Sequence, residues 1–250
     1  MREGGLGFGQ IGAAHATRLA CAKAMTQGIA LVALRNSAHV GRLGDWVELA
    51  AALGCMSFHV VNTLSMPRVA PWGGREGRLS TNPLAWDMPI PDGWIVDRDG
   101  KSTTDAAALY DGGLLLPLGE LDAGHEGYAL LLMVDLMAGA ISGGGASGAD
   151  KRINSNNFTV IAIDPNQLAA DDWIGTEAAR FSGWVKSSTP ADAGKPVLLP
   201  ADVERNARVR HMRDRLLLSA GAIKTLKDAA ALAGASVKLV EDFMLTTPPN

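Results

Sequence analysis

The chain has no strong charge of either sign, almost no cysteine and no long apolar run. Its formal net charge is -3 over 250 residues. That provides no basic face for nucleic acid or an anionic membrane, and neither partner is expected. The two cysteines, Cys21 and Cys55, each sit inside an apolar stretch. A disulfide framework needs more of them, so they read as buried free thiols in a reducing, cytoplasmic compartment. No Cys/His cluster has the spacing of a metal site. The longest apolar run, Tyr128 to Met133, is cut off by Asp135. It falls far short of the roughly 20 residues that span a bilayer. The opening Met1-Arg2-Glu3-Gly4-Gly5 lacks the apolar core of a signal peptide.

What is present is the alternation of an α/β protein. Ala13 to about Gln27 has a helical pattern ending at Gly28, and Ile29 to Leu34 is a continuous apolar run. A second helix is expected from Asp45 to Leu53, with Trp46, Leu49, Ala50 and Leu53 on one face, followed by an apolar run from Met56 to Val61. Continuous apolar runs of this length read as strands covered on both faces. Phe158 to Ile163 is a third such strand. Tyr128 to Ile141 is apolar on nearly all sides and is expected to be the most buried helix. Asp135 within it must be paired or sit at the rim. Ala138, Gly139 and Ala140 would let another element approach closely, a second subunit included. Ser142 to Asn157 reads as a mobile Gly/Ser/Asn-rich stretch, and Asp171 to Gly194 as weakly patterned surface. Two further helices are expected, from Asp202 to about Leu218 and from about Lys224 to Ala233. No linker interrupts the chain, so residues 1–250 read as a single α/β domain.

Arg35-Asn36-Ser37-Ala38-His39-Val40-Gly41-Arg42-Leu43-Gly44 lies between the first strand and the second helix. Ligand-carrying loops of α/β proteins sit at such strand ends. Ser37 and His39 can donate or accept, and Gly41 and Gly44 admit close approach. The bland alternative is an ordinary turn with an exposed histidine. Thr63, Ser65, Thr81 and Asn82 are neutral hydrogen-bonding residues on loops stiffened by Pro67, Pro71 and Pro83. They suit ribose or carboxamide groups, or simply packing. Gly7-Phe8-Gly9-Gln10-Ile11-Gly12 spells G-x-G-x-x-G, but that fingerprint needs a buried strand before it, which Met1 to Gly5 cannot supply. A Rossmann-type NADP reductase built on Gly7 to Gly12 is therefore the second alternative.

Taken in order, several stretches resemble the malate/L-lactate dehydrogenase family that lies outside the Rossmann dehydrogenases and includes ureidoglycolate, sulfolactate and piperideine-2-carboxylate enzymes. They are Gly7 to Gln10, Arg35 to Gly41, Val69-Ala70-Pro71-Trp72-Gly73-Gly74, Thr81-Asn82-Pro83, Asp97 to Asp105, Leu116-Pro117-Leu118-Gly119, and Gly124-His125-Glu126-Gly127-Tyr128-Ala129-Leu130. The resemblance implies a mixed sheet covered by helices in a non-Rossmann NAD(P)-binding fold, usually a homodimer. It implies NAD or NADP as cofactor, and a small 2-hydroxy acid or its 2-keto or imino counterpart as substrate. By position, His39 matches a histidine of proton transfer or of the cofactor pocket. Ser37, Val40, Gly41, Arg42 and Leu43 match the cofactor-binding loop, and Thr63, Thr81 and Glu126 match further cofactor-touching positions.

The departures from the family matter equally. Family members carry an upstream Ser-His-Gly motif and a substrate-carboxylate arginine that this chain does not contain. They also carry an Asp-x-Ala-Thr-Ser segment where Pro89-Ile90-Pro91-Asp92-Gly93 runs straight through. Glu126 stands where a lysine is usual. General acid–base catalysis contributes about 10²–10⁴-fold, so the missing groups leave a first alternative open. In that reading the chain is a catalytically impaired relative that binds cofactor or dimerises without turnover. His39 remains the candidate base, since His59 lies in an apolar run and His15 and His211 lie in helical patterns; His125, beside Gly124 and Gly127, is the second candidate.

Overall fold

The computed structural model describes residues 2–64, 67–80, 92–148, 155–168, 173–200, 202–214, 218 and 220–234. The chain divides into two compact units, Met1–Ile174 and Gly175–Asn250. In the first, strand β1 (Arg2–Glu3) leads to helix α1 (Gly9–Gln27), β2 (Ile29–Ser37), α2 (Leu43–Ala52) and β3 (Met56–Leu64). Short strands β4 (Ile95–Val96), β5 (Ser102–Thr103) and β6 (Leu114–Leu115) precede α3 (Glu120–Asp135), a π-helical turn (Leu136–Ala140) and β7 (Ser155–Ile163). The main sheet has the order β1-β2-β7-β3, and the small one β5-β4-β6. β1 is parallel to β2, whereas β7 runs antiparallel to both β2 and β3.

This order separates the fold from an open parallel Rossmann sheet, because β2 and β3 meet only through the late strand β7. As expected, the residues before the glycines supply no buried strand: Arg2–Glu3 form a strand that is two residues long and exposed. It pairs as Arg2↔Leu34 and Glu3↔Arg35. What holds it is backbone pairing at the sheet edge rather than burial.

One face of the sheet carries Ala30, Val32, Leu34, Phe158, Val160, Ala162 and Val61, packed on Ala13, Ala16, Ala20, Cys21 and Ala24 of α1. The alanines recur at three and four residues, so the stripe is narrow and smooth and α1 lies close to the strands. The thiols of Cys21 and Cys55 are free and buried. Burial, aided by the neighbouring Cys55, pushes the Cys21 thiol up to about 12, so it is inert as a nucleophile.

The opposite face departs from the expectation of cover along its whole length. Ile29, Leu31, Met56 and Phe58 are exposed there. α3 differs too. Only Gly124, Gly127 and Asp135 of it are buried, and Leu130, Met133 and Leu136 lie open. An all-apolar helix signals burial against something, and among the described residues only one side of α3 finds it. The described parts of the stretch Ser142 to Asn157, residues 142–148 and 155–157, carry buried polar side chains. Ser142 is fully buried, and Ser155, Asn156 and Asn157 are buried in the first turn-in of β7.

The second unit holds most of α4 (Trp173–Lys186), with α5 (Asp202–Asp214) and α6 (Ala220–Leu232). α4 was not legible in the weak pattern of 171–194. Asp202 is buried at the start of α5, where it accepts the Leu199 N–H at 2.9 Å and pairs with Lys186 at 2.8 Å and Arg205 at 3.0 Å. Lys186 holds its carboxyl below the ordinary range. Among the described residues no helix is long and apolar enough to cross a membrane.

His59 is a core residue, as its place in an apolar run implied. Its ring lies 5.4 Å from that of Phe158, and burial lowers its pKa from 6.5 to about 4. The unfolded chain therefore takes up a proton near pH 6.5 that the folded chain refuses until about pH 4. Stability is fully present above pH 6.5 and falls as the pH drops through that window. At pH 5 the loss should be about 2 kcal/mol. Urea unfolding at pH 7.5 and 5.0 checks this, and His59→Leu should remove most of the difference. An equal acid slope in both proteins would refute it.

Candidate active site

The site is built around an irregularity between β2 and β7. Their register is regular from Ile29↔Ile163 to Leu34↔Phe158, then resumes at Ser37↔Asn156. Arg35 and Asn36 therefore face the single residue Asn157, which makes a β-bulge. Asn36 adopts the left-handed region at φ 52, which asparagine tolerates better than most residues. Its N–H donates to Asn157 Oδ1 at 3.1 Å. The bulge bends β2 so that Ser37 to Gly41 turns over the end of the sheet.

The glycine-rich start of the chain is the bed for that turn. Gly4 N–H donates to Arg35 O at 2.8 Å, Leu6 N–H to Asn36 O at 2.7 Å, and Ala38 N–H to Gly7 O at 3.1 Å. A Cβ on Gly9 would lie 2.1 Å from Ala38 O and 2.4 Å from His39 O. The G-x-G-x-x-G spacing thus has a packing cause in this chain. A cleft of about 680 Å³ opens beside Ser37, lined also by Arg2, Phe8, Ile11, His15 and Arg18. Its size suits a small ligand.

Ser37, Asn156 and Thr63 form one row across the sheet, since Asn156 pairs with both of the others. The Asn156 side chain donates to Thr63 Oγ1 at 2.9 Å and accepts the Val40 N–H at 3.2 Å. Val40 is fully buried, and its carbonyl accepts Trp46 Nε1–H at 3.0 Å. Gly41 takes φ 78, which reverses the chain into α2. Arg42 precedes α2 without capping it by its side chain, and Leu43 opens the helix. The Arg42 guanidinium is occupied by Asp45 at 2.7 Å and Glu48 at 3.0 Å.

The neighbouring row faces α3. Asn157 Nδ2 donates to Asn62 Oδ1 at 3.0 Å and to Gly145 O at 3.2 Å. Asn62 Nδ2 donates to Asp135 Oδ1 at 2.7 Å, and Asp135 Oδ2 accepts the Ser147 N–H at 3.0 Å. Asp135 is therefore paired, as its place in an apolar helix required. Ser147 Oγ in turn accepts the Ser80 N–H at 3.2 Å.

Of the residues singled out from the sequence, the structure brings Ser37, Val40 and Thr63 together through Asn156, with Gly41, Arg42 and Leu43 following along the chain. His39 is exposed on the same turn. Glu126 is exposed on α3 beside His125, whose ring lies 5.3 Å from that of Trp72. Among the described residues no hydrogen bond joins Glu126 to the Ser37–Thr63 row. Thr81 lies outside the described residues. Asn62, Asp135, Ser147, Asn156 and Asn157 were missed as site residues. The available signal was two asparagines set directly before the apolar run Phe158 to Ile163, too polar for a buried strand unless they pair.

A mixed sheet of this order, with polar groups gathered where β2 and β3 end and β7 begins, defines an α/β fold outside the Rossmann pattern and places the candidate site at that end. Comparison with known proteins agrees. A family model described as malate/L-lactate dehydrogenase matches residues 1–90 and 86–227. Hydroxycarboxylate dehydrogenase B of Escherichia coli K12 is 34% identical over 278 residues, covering 96% of this chain and 75% of that protein. Among solved structures, malate dehydrogenase of Pyrococcus horikoshii aligns with TM-score 0.79 and 28% identity, over 94% of this chain and 74% of that one. Sulfolactate dehydrogenase of Methanocaldococcus jannaschii aligns with TM-score 0.76 and 27% identity, over 94% and 76%. The chain belongs to the malate/L-lactate dehydrogenase family. The E. coli alignment is longer than this chain's 250 residues, and the two family matches meet at 86–90. An internal segment of the relatives is thus absent here, beside Pro89-Ile90-Pro91-Asp92-Gly93.

The packing role of Gly9 has a direct consequence. Gly9→Ala should lower the unfolding free energy by about 1–3 kcal/mol through overpacking against Ala38 and His39. Gly183→Ala places its Cβ in open space within α4 and should be neutral or stabilising. Urea unfolding of both variants decides it, and two equal midpoints would count against the packing role.

Proposed function

We propose that the chain is an NAD(P)-dependent oxidoreductase moving a hydride between nicotinamide and a small 2-hydroxy acid. The Ser37–Asn156–Thr63 row, opening onto the Val40–Leu43 turn, is the observation that carries this reading. The Ser37 hydroxyl is buried and donates to Ala38 O at 3.0 Å, which leaves the half-buried Thr63 hydroxyl to suit the carboxamide or ribose of a dinucleotide. The first turn of α2 carries no side-chain cap on its N–H groups, which suits an anionic phosphate. In this assignment Ser37, Val40, Gly41, Arg42, Leu43 and Thr63 hold the coenzyme, with Thr81 and Glu126 completing the set. The nicotinamide ring supplies the hydride acceptor when bound. His39 takes the proton from the C2 hydroxyl, the task to which imidazole is suited near neutral pH. The single-domain reading of 1–250 and a cytoplasmic location belong to the same proposal.

The absent internal segment favours a second reading, in which the chain binds coenzyme with impaired turnover. The two are separated by following NADH and NADPH absorbance with malate, lactate and related 2-hydroxy acids. Turnover is expected, and His39→Ala should lower kcat by about 100-fold. Coenzyme binding without turnover supports the second reading.

We also assign the exposed apolar side of α3 to a homodimer contact. Leu130, Met133, Leu136 and Ile141 are all exposed on consecutive turns, and a contiguous apolar face of this kind marks an interface. Sedimentation should find a dimer, and Leu130→Lys with Leu136→Lys should shift it to monomer. A wild-type monomer at micromolar concentration would exclude this contact.

A further inference from the structure

Asn156 is 3% exposed and sits between two residues of the proposed coenzyme site. The orientation of its carboxamide follows from its neighbours. The Val40 N–H can only donate, so the atom facing it at 3.2 Å must be Oδ1. That turns Nδ2 towards Thr63 Oγ1 at 2.9 Å, and Nδ2 can only donate. Thr63 Oγ1 is therefore an acceptor in this bond, and its own hydrogen must point elsewhere. Thr63 is half-buried, and among the described residues no protein acceptor takes that hydrogen.

We propose that Asn156 is a positioning residue of the coenzyme site, fixing the Val40–Leu43 turn to β3 and committing the Thr63 hydroxyl to donate to an acceptor oxygen of the coenzyme. This rests on the nicotinamide reading above. The ligand group it calls for is a carbonyl or hydroxyl oxygen, such as the carboxamide or ribose provides. The one side chain that preserves shape and reverses the effect is aspartate. Its first oxygen keeps the Val40 contact. Its second, ionised, accepts where Nδ2 donated, so Thr63 turns its hydrogen inward and loses it to the ligand.

The test is a cycle of Asn156→Asp, Thr63→Val and the double variant, with NADH and NADPH affinity read by fluorescence titration and folding by thermal unfolding. Each single variant should weaken the better-bound coenzyme by about tenfold or more. The double variant should be no more than about twofold worse than either, because both changes remove the same donor. A role confined to packing would instead multiply the two losses, and that result overturns the proposal. So does wild-type affinity in Asn156→Asp. If Asn156→Asp does not fold, Thr63→Val decides alone, since it removes only the hydroxyl in question. Wild-type affinity in that variant also overturns the proposal. Failure of the unmodified protein to bind either coenzyme overturns the nicotinamide reading, and this inference with it.

Discussion

The hydrogen bond from Asn36 N–H to Asn157 Oδ1 is the constraint on which the site depends. A bulged residue loses its ladder partner, and an unpaired buried N–H is costly. Here a side chain on the central strand supplies the missing acceptor. That lets Asn36 remain at φ 52, a conformation that persists only where the surroundings over-determine it. Without it β2 would continue straight along β7, and Ser37, His39 and Val40 would lie along an edge rather than across the end of the sheet. One carboxamide thus decides whether β2 ends in a strand or in a binding turn.

The same economy links the site to the helix behind it. Asn62, Asp135 and Asn157 are all buried, and burying polar groups is favourable only when each finds its partners. They find them in one another and in the backbone of Gly145 and Ser147. The network draws the end of α3 and the 139–147 loop onto the sheet on the side away from α1. It fastens α3 along a narrow polar edge and leaves the broad apolar side unclaimed. A polar seam and an open apolar face on one helix are therefore two aspects of a single arrangement.

The sequence showed the elements whose signal is local. Gly28 and Gly54 end helices where the pattern stopped, and Ile29 to Leu34, Met56 to Val61 and Phe158 to Ile163 lie in the three long strands. Each strand extends beyond its apolar run into polar residues: Arg35 to Ser37, Asn62 and Thr63, and Ser155 to Asn157. Those extensions form the candidate site. Ser37 and Thr63 in them were legible, but the asparagines that join them were not, because Asn156 and Asn157 reach partners on β2 and β3 more than 90 residues away, and an asparagine reads as a loop residue until its partner is known. Composition misled in the other direction at α3, where apolar residues were equated with burial in the same chain. Glycine spacing alone was ambiguous at Gly7 to Gly12, since close packing and phosphate binding ask for the same absence of a side chain, and the lack of a preceding buried strand is what told against the Rossmann reading.

The charges around the turn carry the argument one step further. Its two arginines are both engaged. Arg35 pairs with Glu3 at 2.8 Å, and Arg42 with Asp45 and Glu48. These pairs are exposed, so they add little stability, but they leave neither guanidinium free to meet a phosphate. Under the proposed coenzyme reading, attraction for the anion at this turn falls to backbone N–H groups at the start of α2, and these act only over the first turn and only in the right orientation. A side-chain cation tolerates a displaced loop, because it can follow its ligand. A helix terminus cannot. In that reading, binding is tied to how rigidly Val40 to Leu43 is held, and hence to the paired asparagines of β7 rather than to the charged residues of the turn.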